Sequence, residues 1–150
     1  MYEIEIADNQ SHLVVDGRLL RQAIQSVLMS EGIERAEISL AVVDDPAIHA
    51  LNRKYLDHDY ATDVLSFLLD HENGKLDGEI IVSSETAIRQ AAEFGATDPC
   101  IELLLYVIHG ALHLAGYEDG TPAQSLLMRE QEQKHLTALL GETPQVRSGD

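Results

Sequence analysis

Between Ile101 and Leu114 the chain reads Ile-Glu-Leu-Leu-Leu-Tyr-Val-Ile-His-Gly-Ala-Leu-His-Leu, apolar at nearly every position. A helix that is hydrophobic on all sides has no face to offer water, so this one must run through the centre of its domain. Asp98-Pro99 supplies its cap and a first-turn proline. Near its other end, His109 and His113 are spaced i and i+4, which sets both imidazoles on one face a turn apart. Two imidazoles so placed can bind one metal ion. Gly116 permits a sharp, left-handed exit that swings Tyr117-Glu118-Asp119 back towards them. Asp119 is the best-placed third ligand, leaving a position open for water. The plainer alternative is two ordinary histidines near a helix C-terminus, where the dipole tolerates cations. Gly110 stands where H-E-x-x-H carries its general-base Glu, which argues against a zinc peptidase.

The remaining elements arrange themselves around this helix. Tyr2 to Ala7 alternate apolar and acidic residues, as a half-buried strand does. Asp16 caps a helix with Leu20, Ala23, Ile24, Val27 and Leu28 on one face, ending by Gly32. Alternation returns from Glu37 to Val43, and Asp45-Pro46 opens a second helix with Ile48, Leu51 and Tyr55 inward. Thr62–Leu68 and Gly78–Val82 read as strands paired in an antiparallel hairpin through the Asn73-Gly74 turn. Ser83 or Ser84 caps a third helix through Ile88, Ala91 and Ala92, ending near Gly95. Thr121-Pro122-Ala123-Gln124 is a capping box that opens a last helix, stopped at Gly141. The expected fold is therefore α+β: one domain over residues 1–141, with a small mixed sheet of about four strands and about five helices. The metal site would sit at the end of the central buried helix. The polar tail from Glu142 to Asp150 is expected to be disordered.

Composition limits the function classes. No run is long enough to span a membrane, and Met1-Tyr2-Glu3-Ile4-Glu5-Ile6 lacks the pattern of a signal peptide. The single cysteine, Cys100, excludes an internal disulfide and is read as a small buried residue; a cytoplasmic location is expected. The net charge is −16, with ten basic residues against twenty-six acidic. Proteins that hold RNA by bulk electrostatics are usually basic, so any RNA contact here needs a local patch, a metal ion or a partner.

His109-Gly110-Ala111-Leu112-His113-Leu114-Ala115-Gly116-Tyr117 resembles the motif H-G-x-L-H-L-x-G-Y-D-H of the YbeY family of metal-dependent endoribonucleases. Glu118-Asp119 replaces the closing Asp-His, so the family's third histidine ligand falls on Asp119. Asn52, Tyr55, Asp59 and Thr62-Asp63-Val64-Leu65-Ser66-Phe67 resemble the family's N-x-x-Y-R-x-K-D-x-P-T-D-V-L-S-F block. Gly78-Glu79-Ile80 resembles its G-D-I, and Gln90-Ala91 its Q-A. Two extended motifs in the right order are far more specific than one.

The resemblance implies a divalent ion, zinc foremost, on His109, His113 and Asp119, acidifying a bound water as the catalytic group. It implies single-strand-type endoribonuclease action in 16S rRNA 3′-end maturation and ribosome quality control, with ribosomal RNA and small-subunit proteins as partners and no membrane. The family's arginine after the tyrosine is Leu56 here, its lysine is His58 and its proline is Ala61. A guanidinium stabilises the charge that develops on phosphate oxygens, so its loss bears on activity. Arg53, one turn earlier, is a substitute or a solvated charge; His58 is a proton carrier or an uninvolved exposed histidine. Thr62, Asp63 and Ser66 line a substrate cleft, or Asp63 merely fixes the loop before its strand. A non-catalytic, metal-stabilised ribosome-binding protein and a general metal-dependent hydrolase stand as rivals.

Overall fold

The computed structural model describes residues 1–94 and 98–141. Strand β1 (Tyr2–Asp8) lies parallel to β2 (Arg35–Val43), with Ile4 beside Ile38 and Ile6 beside Leu40. Strand β2 is in turn parallel to β4 (Lys75–Ser83), and β3 (Val64–Glu72) closes the far edge antiparallel to β4. The order is β1-β2-β4-β3, a mixed sheet of four strands. Parallel neighbours need crossover connections, and helices supply them. Helix α1 (Gly17–Ser30) joins β1 to β2, while α2 (Asp45–Leu56) leads from β2 to β3. Helices α3 (Ser84–Phe94), α4 (Pro99–Leu114) and α5 (Pro122–Leu140) follow the hairpin.

The expected α+β class, the hairpin and the central helix all stand. The face of α1 buries Leu20, Ala23, Ile24, Val27 and Leu28, with Asp16 accepting from the amides of Arg18 and Leu19. Every residue of α4 from Glu102 to Ile108 is buried. The main core joins α1, α4 and α5 to Ile38, Leu40, Val42, Ile80 and Val82 of the sheet. A smaller core, made of Ile48, Val43, Leu65 and Ile81, lies under α2. Helix α4 approaches the sheet at Gly110, where an added Cβ would stand 2.8 Å from Ile80 Cγ2 and 3.2 Å from Val64 Cγ2. A side chain at 110 would push the helix off, so glycine there sets the depth of the histidine-bearing end.

Several local expectations shift. Asp44, not Asp45, caps α2, accepting from the Ala47 amide, and this frees Asp45 for Ser83, Thr86 and Arg89. Tyr55, in the last turn of α2, is 58% exposed, with its ring edge-on to Phe67 of β3. Strand β3 starts at Val64 rather than Thr62 and runs on to Glu72. The Ser83 hydroxyl accepts from the Thr86 amide at the start of α3, in which Ala87 and Ala91 are buried and Ala92 is exposed. Cys100 is exposed, on the first turn of α4. Gly95 and the tail 142–150 lie outside the described residues. Among the described residues no helix is long and apolar enough to cross a membrane.

Candidate metal centre

His109 and His113 emerge on one face of the last turns of α4, their ring centroids 4.5 Å apart. The chain then leaves through Gly116 at φ +109. Paired bonds close the helix there, from the Tyr117 amide to Leu112 O and from the Gly116 amide to His113 O. This is the left-handed glycine exit expected from the sequence. It returns Asp119 to the histidines, with Oδ2 3.4 Å from His109 Nε2 and 3.3 Å from His113 Nε2. The two Nε2 atoms are 3.0 Å apart.

These separations test whether a metal fits. Ligand bonds of about 2.0–2.2 Å at tetrahedral angles put neighbouring donor atoms about 3.3–3.6 Å apart. Two of the three distances fall in that interval, and the third is shorter by a few tenths of an ångström. The donor set, two imidazoles and one carboxylate, suits zinc and other divalent transition ions. His109, His113 and Asp119 therefore fit a three-ligand site.

Both histidines are held from behind. His113 Nδ1 lies 2.9 Å from the Tyr117 carbonyl, which can only accept, so Nδ1 carries the proton and Nε2 offers a lone pair to the site. His109 Nδ1 lies 2.5 Å from Glu132 Oε2, on α5, which fixes the same tautomer. Burial alone would depress the pKa of His109. The Glu132 hydrogen bond and charge, then Asp119 and Asp63, outweigh it and hold the pKa above the ordinary histidine value. The surroundings favour positive charge at this point.

The Tyr117 ring anchors the return turn through its hydroxyl, which donates to Glu31 Oε2 at 2.9 Å. Sequence reasoning missed both Glu31 and Glu132. A signal for Glu132 was present: it lies four residues from Met128 and four from Leu136, and both are buried. A carboxylate in the apolar stripe of a helix wants a partner, and His109 provides one.

Asp63 approaches from the sheet edge. Its Oδ1 accepts from the Val64 amide at 2.8 Å and from the Thr62 hydroxyl at 3.3 Å, and its charge reaches His109. It thus fixes the loop and contributes to the field of the site. Ser66 is half-buried opposite Ile80. Arg53 is not gathered with the histidines; it lies 3.9 Å from Asp59 at the end of α2. His58 stacks on Tyr60 instead. A second group, His12, Asp44 and Glu85, also brings ligand atoms within 4.8 Å of one another. Its carboxylates are already engaged, Asp44 with the Ala47 amide and Glu85 with the Asp45 amide, so the first group is the better site.

Comparisons with known proteins bear on the family. The family model described as Endoribonuclease YbeY matches residues 5–140. A Salinibacter ruber protein named Endoribonuclease YbeY is 40% identical over 134 residues, covering 84% of this chain and 85% of that protein. One of the same name from Carboxydothermus hydrogenoformans is 38% identical over 139 residues, covering 90% and 96%. A third, from Rhodopirellula baltica, is 42% identical over 114 residues, which are 75% of this chain and 59% of the relative. The solution structure of a Thermotoga maritima protein superposes with a TM-score of 0.66 at 30% identity, covering 94% of this chain and 90% of that one. With the fold, the match over 5–140 and these relatives in agreement, the chain belongs to the YbeY family of endoribonucleases.

Proposed function

We propose that the protein is a zinc-dependent endoribonuclease that cuts single-stranded RNA, acting in the cytoplasm on the 3′ end of 16S rRNA and in ribosome quality control. Its partners on this reading are ribosomal RNA and proteins of the small subunit. The observation that carries the reading is the closeness of three donor atoms, 3.0 to 3.4 Å apart, on His109, His113 and Asp119. When bound, the ion supplies Lewis acidity to a phosphodiester and to water. The chain's own residues hold its ligands: Glu132 and the Tyr117 carbonyl keep each Nδ1 protonated and each Nε2 free. Asp119 and Glu132 add two negative charges beside two neutral imidazoles, which offset a dication. Phosphate binding then has little excess positive charge to draw on, in a chain that carries −16 overall. Leu56 at the family's arginine position points the same way.

The test is cleavage of a single-stranded RNA carrying the 3′ precursor sequence of the small-subunit rRNA, by zinc-loaded protein. The reading expects cuts in the unpaired precursor, none with a strong chelator present, and none where the same sequence is sealed in a duplex. Cleavage that is indifferent to the chelator would defeat it.

A further inference from the structure

The connection between α2 and β3 carries a feature that the metal centre does not use. Two of the chain's five tyrosines, Tyr55 and Tyr60, lie at this connection, the first against Phe67 of β3 and the second against His58. Tyr55 is 58% and Tyr60 53% exposed, although aromatic side chains normally bury. His58 and Tyr60 are stacked, with centroids 5.4 Å apart and planes 14° from parallel. The Tyr60 hydroxyl lies 3.3 Å from His58 Nδ1. Both rings remain exposed while stacked, so the pair keeps a flat aromatic face towards solvent. The Tyr55 ring rests edge-on against Phe67 at 5.8 Å, with the Lys54 ammonium 5.1 Å from its centre.

The segment is also fixed. Asp57 takes the left-handed conformation, φ +58, that ends α2. Asn52, only 1% exposed, donates its side-chain amide to the Tyr60 carbonyl at 3.0 Å. Its acidic residue Asp59 is met by His49 at 2.8 Å and by Arg53 at 3.9 Å. The sequence Arg53-Lys54-Tyr55-Leu56-Asp57-His58-Asp59-Tyr60 thus sets two adjacent cations beside three rings. Asp57 and Asp59 work against them, so the stretch carries no net charge and leans on its rings more than on its cations. The position relative to the metal centre is close. Asp63 is three positions on from Tyr60, a span of at most about 11 Å. Val64, the next residue, packs where α4 meets the sheet, its Cγ2 3.2 Å from where a Cβ on Gly110 would stand, and Gly110 adjoins His109.

We propose that this connection is a stacking site for unpaired RNA bases: Tyr60 and His58 form the platform, Tyr55 extends it, and Arg53 and Lys54 meet the backbone. The proposal rests on the ribonuclease reading and names the residues of this chain that would receive the unpaired strand beside the metal centre. Stacking is the interaction open to a protein of this charge. Long-range attraction to a polyanion is unavailable at −16, whereas every base has a face that an aromatic ring can cover. A duplex hides those faces and is disfavoured. The salt dependence should be shallow, since two phosphate contacts give a log–log slope of only about −1.4 for a single strand.

The experiment measures binding of a labelled single-stranded 2′-O-methyl oligoribonucleotide to zinc-loaded protein by fluorescence anisotropy. Wild type, Tyr60→Ala and Tyr60→Phe are compared, with the same sequence as a duplex. Loss of one stacking ring should weaken binding by about ten-fold or more in Tyr60→Ala, while Tyr60→Phe stays within about two-fold of wild type. Equal binding by Tyr60→Ala and wild type overturns the proposal. So does a loss in Tyr60→Phe as large as in Tyr60→Ala, preference for the duplex, or no binding by wild type. Cleavage of the unmodified strand is followed in parallel. A wild type that cuts nothing but shows the Tyr60 pattern keeps the stacking site and defeats the nuclease reading alone.

Discussion

His109 Nδ1 and Glu132 Oε2 stand 2.5 Å apart, on helices α4 and α5, 23 positions apart in sequence. The Glu132 side chain is only 13% exposed, so its charge is weakly screened. A carboxylate behind a metal-binding imidazole fixes its tautomer and raises its basicity. Glu132→Ala should therefore weaken zinc binding by about 10–100-fold, and Glu132→Gln by less, because its amide oxygen still accepts from Nδ1. A competition titration against a chelator measures both. Equal affinity in Glu132→Ala and wild type would show that His109 needs no such support.

Asp119 offers one oxygen at 3.3 and 3.4 Å to the two Nε2 atoms, in the position where the family's motif has histidine. Imidazole suits zinc well, so Asp119→His should bind zinc more tightly. The same titration decides. Unchanged or weaker binding would mean that position 119 does not face the ion.

Gly110 fixes how closely α4 meets the sheet. A methyl group there would stand 2.8 Å from Ile80 Cγ2, and Ile80 is fully buried and branched at Cβ, with little room to give. Gly110→Ala should cost about 1–3 kcal/mol in a urea unfolding experiment. A stability equal to wild type would contradict the close packing.

Much of this arrangement was legible in the sequence because the signals were local. Asp16, Asp98 and the Thr121–Gln124 box all cap as read, since a cap depends on a few neighbouring residues. The i, i+4 histidines and the glycine exit are equally local. What failed depended on tertiary context. Tyr55 follows the apolar spacing of α2, yet it sits in the last turn, where its ring meets Phe67 of β3 edge-on and stays 58% exposed. The parallel pairing of β1, β2 and β4 is set by crossovers and not by any strand's own residues. Glu132 reaches His109 only because α5 packs along α4, which no local pattern states.

Asp45 gives a prediction for pH. Burial alone would raise its pKa. Hydrogen bonds from Ser83 at 2.6 Å, Thr86 at 2.7 Å and Arg89 at 2.8 Å, with the Arg89 charge, bring it below the ordinary aspartate value. A depressed folded-state pKa stabilises the fold above the unfolded value, near about 3.9, and the stabilisation fades as pH falls through the folded value. At neutral pH, Asp45→Asn should therefore be less stable than wild type by about 1–3 kcal/mol, with the gap narrowing below about pH 4. Unfolding midpoints across that range provide the check. A gap that does not narrow in acid would place its origin outside the carboxylate charge.

The most direct test of the metal centre joins occupancy to cutting. Protein stripped with a chelator is titrated with zinc while metal content and single-turnover cleavage of a short single-stranded RNA are followed, for wild type and for His113→Ala. The account predicts no cleavage by the stripped protein, recovery that saturates at one ion per chain, and neither stable occupancy nor recovery in His113→Ala. Cleavage by the stripped protein at the rate of the loaded one, or full recovery in His113→Ala, would contradict it.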